Sequence, residues 1–350
     1  MNQISLVPTP VKFFYTLTIY SAILLKKGGI AIEIHHFGVS ISMMDIFYAR
    51  IPHDHPQKTF IEAQMNNMKI GHRGEAKLLR FLEEVNFKQS PLVIRNFLTR
   101  VHQKRIIQID YLLVTRKYLL IIEVKNIAGH IQFNSNPPQM IRTLEGRPSQ
   151  AMECPFVQLD RNLDGFIASL PDSKLPIYTS LVWANSSTTF DLPFEAPHLF
   201  LTLKKVPLMI QELEKLPDLL SNKQFNALKK KIVQKAQSFQ EQSFCDRYQI
   251  NPLDLRKGLY CVECYQLLTK SMRTWICTNC KLNATQFVDV NVLSLFSIQN
   301  SQLTITDIRN HLPELQSRQV RKVLDSYGYI SKGNTKSKRY FKPMEWEEHQ

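Results

Sequence analysis

The amino-acid sequence predicts a mixed α/β fold, in which a sheet with strands running in both directions is flanked by helices and followed by two smaller modules. In the first half of the chain, short apolar segments rich in β-branched and aromatic residues alternate with amphipathic segments. The second half contains two Cys-x-x-Cys pairs, and it ends in two helical patterns and a basic hairpin. We therefore divide the chain into an N-terminal extension of uncertain status (1–48), an α/β domain (49–190), a helical basic extension or spacer (191–252), a cysteine module (253–288) and a C-terminal module (298–345).

Composition favours a globular protein with a polyanionic partner. The 350 residues are enough for two or three domains, and a hydrophobic content of 44% argues against wholesale disorder. Lys and Arg number 44 against 30 Asp and Glu, which gives a formal net charge of +14. Nucleic acid is the first partner that such a charge suggests, and an anionic membrane surface is the second.

The N-terminal region has no recognisable motif. Its one long apolar run, residues 13–25, lies between Lys12 and Lys26 and is too short to span a bilayer comfortably. We expect a cytoplasmic protein without stable membrane insertion, and a membrane anchor is the alternative. A further hypothesis is that translation begins at Met43 or Met44, so that residues 1–42 are not part of the native protein.

Two helices are predicted before the sheet, over residues 58–67 and 74–85, with Gly71 between them. The second helix carries Glu75 in its first turn. Glu75 lies on the same face as the apolar stripe, so it should point toward the sheet. The alternative is that it only complements the helix dipole. The stripe consists of Leu78, Leu79, Leu82 and Val85.

Residues 106–114 and 118–124 read as two strands of an antiparallel hairpin that carries several ionisable groups. With the turn at Arg116 and Lys117, Val114 faces Leu119. The same register pairs Asp110 with Glu123 and Gln108 with Lys125, and it places these four side chains on one face of the sheet.

Two neighbouring carboxylates repel each other unless a cation lies between them. Asp110 and Glu123 therefore suggest a hard cation with oxygen ligands, Mg²⁺ or Mn²⁺, which can also hold a phosphate. Lys125 would place a positive charge beside a metal-bound water or a phosphoryl oxygen. The alternative is a buried ion pair that only stabilises the sheet.

A short strand over residues 139–144, a helix from Pro155 and a strand over residues 177–184 complete the predicted α/β domain. Gln158 precedes the apolar stripe of that helix. Residues 190–250 turn helical and basic. Their lysine run is either a solvated helix face or a surface toward nucleic acid, and it comprises Lys229, Lys230, Lys231 and Lys235.

Asp110 followed by Glu123-Val124-Lys125 resembles the signature of the PD-(D/E)xK nuclease superfamily. Together with residues 71–75 (GHRGE), Asn126 and Gly129, it resembles the nuclease-related domain (NERD) of bacterial proteins, over roughly residues 50–190. The resemblance implies a restriction-endonuclease-like mixed sheet and Mg²⁺-dependent hydrolysis of nucleic acid. It also implies roles for site residues. Asp110 and Glu123 would bind the metal with the Val124 carbonyl, Lys125 would position or activate water, and Glu75 and Gln158 would complete the site.

Two Cys-x-x-Cys pairs, Cys261/Cys264 and Cys277/Cys280, are separated by twelve residues. Four thiolates at this spacing match a closed, structural Zn²⁺ site, and the segment resembles a zinc ribbon with Trp275 beside the metal. A redox role is the alternative. The remaining Cys154 and Cys245 stand apart, which favours a reducing compartment over a disulfide framework.

The C-terminal module is predicted to contain a helix over residues 304–312, capped by Thr306, and a second helix over residues 317–327, closed by Gly328. The apolar stripe of the second helix is Val320, Val323 and Leu324, and a hairpin with a Gly-Asn tip follows it. This order resembles a winged helix-turn-helix. A module used only for protein contacts is the alternative. The candidate major-groove contacts are Arg318, Gln319, Arg321 and Lys322, and the candidate phosphate contacts are Lys332, Lys336, Lys338 and Arg339.

Together these patterns predict a metal-dependent DNA nuclease, acting as an endonuclease in DNA processing, repair or defence. The alternative is a non-catalytic DNA-binding or signalling module on a nuclease-like fold. The sequence leaves the oligomeric state open, with a homodimer as one expectation.

Overall fold

The structure is a computed structural model that describes residues 21–27, 30–36, 41–101, 105–170, 172–192, 198–237, 242–272, 274–281, 286–334 and 338–341. Its strands are β1 (Ser21–Lys27), β2 (Ile30–His36), β3 (Leu92–Val101), β4 (Arg105–Val114), β5 (Leu119–Lys125), β6 (His130–Ser135), β7 (Pro138–Thr143), β8 (Gln150–Glu153), β9 (Ile177–Trp183), β10 (Thr189–Asp191), β11 (Leu199–Thr202), β12 (Thr269–Ser271), β13 (Thr274–Ile276), β14 (Gln302–Thr304), β15 (Ile330–Lys332) and β16 (Arg339–Phe341). Its α-helices are α1 (Ile41–Arg50), α2 (Lys58–Leu82), α3 (Pro155–Ser169), α4 (Val206–Leu213), α5 (Asn222–Gln237), α6 (Phe244–Tyr248), α7 (Gln286–Ile298), α8 (Ile305–His311) and α9 (Ser317–Ser326). Short 3₁₀ helices cover Leu203–Lys205 and Pro252–Asp254.

A seven-stranded mixed sheet in the order β1-β2-β3-β4-β5-β9-β11 forms the centre of the α/β part. Pairing is antiparallel for β1/β2, β3/β4 and β4/β5, and parallel for β2/β3, β5/β9 and β9/β11. The predicted mixed sheet flanked by helices is confirmed. Within the segment predicted to be helical and basic, residues 190–250, the structure also has β11, a parallel strand at one edge of the sheet that the sequence did not predict.

Helices cover both faces of this sheet, which explains why its inner strands read as continuous apolar runs. On one face, Ile109 and Leu112 pack in one core with Leu159 of α3 and Ile232 of α5. On the other face, the second core joins β4 and β5 to α2 and α4 through Tyr111, Leu113, Leu120, Leu78 and Ile210. Residues 199–237 therefore pack as part of the layered unit.

One continuous helix of 25 residues, α2, replaces the two helices that the sequence predicts. The expected break at Gly71 does not occur, and Glu75 lies in the helix interior rather than in a first turn. Gly74 has a packing role. A Cβ at this position would lie 2.6 Å from the Cβ of Asn126, so the absence of a side chain lets the helix approach the end of β5 closely.

The hairpin of β4 and β5 has the predicted register from Val114–Leu119 to Tyr111–Ile122, where the pairing ends. Beyond this point β4 pairs with β3 alone, and Gln108 lies opposite Leu98. The predicted pairs Asp110–Glu123 and Gln108–Lys125 are therefore both wrong. The regular alternation of side chains along β4 is also interrupted. The odd-numbered Ile107 and Ile109 pack in the same core as the even-numbered Leu112 and Val114.

This interruption of the alternation coincides with an irregularity in the neighbouring strand, β3. Asn96 of β3 has a left-handed backbone with φ of 52°, and it lies between the Arg95–Tyr111 and Phe97–Ile109 pairs. Asp110 is the residue of β4 between those same pairs. The sheet is therefore distorted at the point where the acidic residue sits.

A smaller sheet in the order β10-β6-β7-β8 lies beside the central one. The predicted short strand over residues 139–144 corresponds to β7, and the predicted helix begins at Pro155 as expected. Parallel pairing of β9 with β5 sets Lys125 opposite Trp183.

A separate core unites α1 and the first half of α2 with the cysteine module and the C-terminal helices. Phe47, Ile61 and Met65 are buried in it together with Cys261 and Leu293. The helix α2 consequently belongs to two cores, and the predicted boundary at residue 49 divides α1 from the partners it packs against. The proposed start residues Met43 and Met44 are buried inside α1 in this core. Residues 1–20 lie outside the described residues.

The C-terminal unit contains α7, α8 and α9 and a three-stranded sheet in the order β14-β16-β15. Thr304, not the expected Thr306, caps α8 in a reciprocal capping box with Asp307. The predicted apolar stripe of α9 is confirmed, since Val320, Val323 and Leu324 are buried. Within the described part of the chain, no helix is long and apolar enough to span a membrane.

Candidate active site and metal centres

The candidate active site begins where β4 separates from β5. The carboxylate of Asp110 extends across this gap, and its Oδ2 accepts a hydrogen bond of 2.8 Å from the backbone N–H of Val124. The side chain thus bonds the backbone of β5 just beyond the last paired residues. Burial and the charge of Glu75 raise the pKa of Asp110 to about 6, against the opposing effects of Lys125 and the Val124 N–H.

The second carboxylate and the lysine lie two residues apart on β5. Lys125 Nζ is 2.6 Å from Glu123 Oε1 and donates a hydrogen bond of 2.9 Å to Gln158 Oε1 on α3. Glu123 is only 2% exposed. Burial, and then the charge of Asp110, raise its pKa to about 8, although Lys125 opposes the shift. Burial alone would lower the pKa of Lys125, but the charges of Glu123 and Asp110 outweigh it and raise that pKa.

Glu75 approaches the site from α2. Its Oε2 lies 3.6 Å from Arg95 Nη2, and both side chains are largely buried. Burial raises the pKa of Glu75, Arg95 lowers it, and the charge of Glu123 raises it further. The Tyr111 hydroxyl donates a hydrogen bond of 2.8 Å to the Glu75 carbonyl, and the Arg95 guanidinium lies over the Tyr111 ring. These contacts fix Glu75 relative to the sheet.

Of the residues that the sequence places in the site, Glu123, Lys125 and Gln158 are in direct contact, and Asp110 and Glu75 interact with them electrostatically. Gln108 is not part of this group, because its side chain donates to Asn96 Oδ1.

Sequence reasoning missed Arg95, Asn96 and Tyr111. Arg95 gave a usable signal, since it interrupts an apolar strand in the same way as Asp110 and Glu123 do. The left-handed conformation of Asn96 has no comparable signature, although Asn tolerates it better than most residues.

The acidic residues fit a hard divalent cation. Among the described residues, the buried Glu123 Oε2 has no hydrogen-bond partner. Together with Asp110 it offers carboxylate oxygens in a low-dielectric setting that disfavours two unneutralised negative charges. A site with only a few protein ligands suits Mg²⁺, which retains waters and binds substrate phosphates.

The four cysteines form a second candidate metal centre. Their sulfurs all lie within 4.8 Å of one another, with 3.5 Å between Cys261 and Cys280 and 3.3 Å between Cys264 and Cys277. Four sulfur ligands fit a closed tetrahedral Zn²⁺ site and leave no position for substrate. The hairpin of β12 and β13 separates the pairs, and Trp275 of β13 packs partly buried against the core that contains Cys261 and Cys277.

The predicted nucleic-acid contacts lie mostly on the surface. Gln319 has a structural contact, since its Oε1 accepts a hydrogen bond from the Gln316 N–H at the start of α9. The Lys336 prediction lies outside the described residues. The exposed cations of α9 and the β15–β16 hairpin are Arg318, Arg321, Lys322, Lys332, Lys338 and Arg339.

A mixed sheet with a carboxylate pair and a lysine at the separation of two strands defines a nuclease-like α/β protein. Residues 70–184 match the family model of the nuclease-related domain, NERD, which is about a third of the chain. The chain therefore contains a nuclease-related domain, and the resemblance seen in the sequence is confirmed over this segment. Comparison with curated proteins and with solved structures gives no match.

Proposed function

We propose that the protein is a metal-dependent nuclease that hydrolyses phosphodiester bonds in DNA. The observation that carries this proposal is the position of Lys125, whose ammonium group is held by Glu123 and Gln158 beside Asp110. A charge fixed in this way is preorganised for a reaction in which negative charge develops on a phosphoryl oxygen.

Asp110 and Glu123 would hold the divalent cation, Mg²⁺ or Mn²⁺, with the Val124 carbonyl as a further ligand. When bound, the cation supplies Lewis-acid polarisation of the phosphate. Lys125 orients the attacking water or neutralises charge on the phosphate, and Gln158 holds Lys125 in place. Glu75, positioned by Arg95 and the Tyr111 hydroxyl, completes the acidic side of the site.

DNA is the favoured substrate because of the C-terminal unit. Its helices α8 and α9, followed by the β15–β16 hairpin, support our proposal of a winged helix, in which the second of two successive helices would enter the major groove. The exposed cations of α9 and the hairpin would contact DNA, and structural zinc would stabilise the adjoining cysteine module. Four thiolate ligands suit the reducing conditions of the cytoplasm, where we place the protein, with DNA processing, repair or defence as its role.

The proposal is tested by incubating plasmid and single-stranded DNA with the wild-type chain and the Asp110→Ala variant, with Mg²⁺ and with EDTA. We expect cleavage by the wild type in Mg²⁺ alone and a loss of at least about 100-fold in the variant, because a metal ligand is removed. Asp172→Ala is the matched control, since it removes an exposed carboxylate whose ion pair with Lys231 lies on the surface. Equal cleavage by Asp110→Ala and the wild type would remove the site from the mechanism.

The alternative is a non-catalytic DNA-binding or signalling module, and the exposed cations of α9 are the observation that favours it. The same preparation distinguishes the two functions. Binding that weakens steeply with salt, without any cleavage, would establish the alternative.

A further inference from the structure

A polar groove lies directly beside the candidate active site. One wall is the start of β4, with Arg105, Ile106 and Gln108, and the other is the α3 side, with Gln158 and Arg161. Gln158 belongs to both places, because it lines the groove and accepts the hydrogen bond of Lys125. The groove therefore leads to the group that would act on the scissile phosphate.

The two arginines of the groove remain available to an anion. Arg105 and Arg161 side chains are 35% and 64% exposed. Their acidic neighbours are Asp164 at 3.9 Å and Glu153 at 3.7 Å, both mostly exposed to solvent. Exposed ion pairs at such distances contribute little free energy, so a phosphate can replace the carboxylates at small cost.

The groove is also held in shape. Arg105 Nη2 donates to the Arg161 carbonyl, and the buried Asn162 donates a hydrogen bond of 2.6 Å to the Gln108 carbonyl. These bonds join α3 to β4 across the groove. Ile106 of β4 also lines the groove, and it is 48% exposed.

We infer that this groove binds one strand of the DNA next to the scissile phosphate, with Arg105 and Arg161 contacting phosphates of that strand. The inference rests on the proposed nuclease function, which it extends by giving the path of the substrate strand. Arginine suits this role, because its planar guanidinium can donate two parallel hydrogen bonds to a phosphate.

The test measures DNA affinity of the full chain by fluorescence anisotropy of a labelled single-stranded oligonucleotide at several salt concentrations, with Ca²⁺ in place of Mg²⁺. Arg105→Ala and Arg161→Ala are each expected to weaken binding and to lower the salt slope by about 1, since each removes a phosphate contact. Arg161→Lys should retain most of the affinity because it keeps the charge. Lys205→Ala is the matched control and should bind as the wild type, since Lys205 is an exposed cation that follows β11 and precedes α4 on the opposite face of the sheet.

Wild-type affinity in both arginine variants, an equal loss in Lys205→Ala, or a wild-type chain that binds no DNA would overturn the inference. If the wild type cleaves DNA but the arginine substitutions do not change DNA affinity, the nuclease proposal stands and the groove is not the path of the strand. If the arginine substitutions weaken DNA binding but the wild-type chain never cleaves DNA, the binding path is supported and the proposed nuclease activity is refuted. Cross-linking of an iodouracil-containing oligonucleotide to peptides from β4 and α3 gives an independent readout of the same path.

Discussion

Asp110 and Glu123 place two carboxylates in a buried setting that one lysine does not neutralise. Their pKa values rise to about 6 and about 8, so near neutral pH the metal-free site retains a proton for part of the time. A bound cation would displace that proton, because it favours the ionised carboxylates. Binding of the proposed cation would therefore be coupled to proton release at this position.

The raised pKa of Glu123 makes the stability of the metal-free protein depend on pH. Folding favours the protonated form, so this contribution is fully present below about pH 4.5 and is lost as pH rises through about 8. We expect Glu123→Gln to be more heat-resistant than the wild type in EDTA near pH 8, and to show a smaller difference near pH 5. Thermal denaturation across this range measures the effect.

Mg²⁺ should remove the advantage of Glu123→Gln, since the wild type alone keeps the carboxylate that binds it. Glu145→Gln is the control, because Glu145 is exposed in the turn between β7 and β8. A Glu123→Gln advantage that is equal at all pH values would show that the carboxylate does not titrate in the folded protein as described.

At the scale of elements, α2 carries two glycines with different surroundings. A Cβ at Gly71 would have no heavy atom within 4 Å, whereas one at Gly74 would meet Asn126 at 2.6 Å. Asn126 also donates a hydrogen bond of 2.8 Å to the Ile70 carbonyl, so the end of β5 is docked on this turn of the helix. Of the two glycines, only Gly74 is needed for the close approach of α2 to the end of β5.

Gly71→Ala and Gly74→Ala should therefore change stability in opposite directions. Ala at position 71 should raise the free energy of unfolding by about 0.5–1 kcal/mol, because Gly is unfavourable in a helix interior. Ala at position 74 should lower it by about 1–3 kcal/mol through overpacking. Urea denaturation of both variants measures the difference. A stabilising effect of Ala at both positions would contradict the close approach seen at Gly74.

The same helix shows where sequence reasoning succeeds and where it ends. Regular periodicity correctly located the α3 helix, the start of the β4–β5 hairpin and the buried stripe of α9. The two glycines suggested a break in the helix, because glycine has a low helix propensity. Propensity alone does not show that the close packing of α2 against Asn126 requires glycine at position 74.

The candidate site was predictable where charged residues interrupt apolar strands, as with Asp110, Glu123 and Lys125. It was not predictable where tertiary geometry decides. The separation of β4 from β5 accompanies a left-handed Asn96 on a third strand, and the short β11 strand has only four residues. Neither feature leaves a periodic pattern in the sequence.

On the scale of the whole molecule, α1 and α2 connect the nuclease-related sheet to the C-terminal half. The fully buried Arg50 of α1 donates to Asn291 Oδ1 of α7 at 3.0 Å and to the Arg256 carbonyl at 3.2 Å, and it lies over the Tyr260 ring. Asn291 in turn accepts a hydrogen bond from the backbone N–H of Tyr260 at its Oδ1 and donates one from its Nδ2 to the Tyr260 carbonyl. The end of α1 is thus joined to the cysteine module and to α7 by buried hydrogen bonds.

Removal of the proposed zinc ion should therefore affect the chain beyond the cysteine module. Cys261 and Cys277 are buried in the core that also contains Phe47 of α1 and Leu293 of α7. The two cores around the central sheet include none of the four clustered cysteines. Since structural zinc contributes folding free energy directly, a chelator should release Zn²⁺ and lower the stability of this core first.

Hydrogen exchange with and without the chelator measures this effect. We expect amides of α1, α7, α8 and α9 to lose protection while those of β4, β5 and β9 keep it, and Cys277→Ala should reproduce the pattern without chelator. Cys154→Ala is the matched control, because Cys154 is buried in a core of the central sheet, away from the four clustered cysteines. Equal loss of protection in β5 and α7 would show that the two halves unfold together, so that the junction through α1 and α2 transmits the loss of zinc to the nuclease-related sheet.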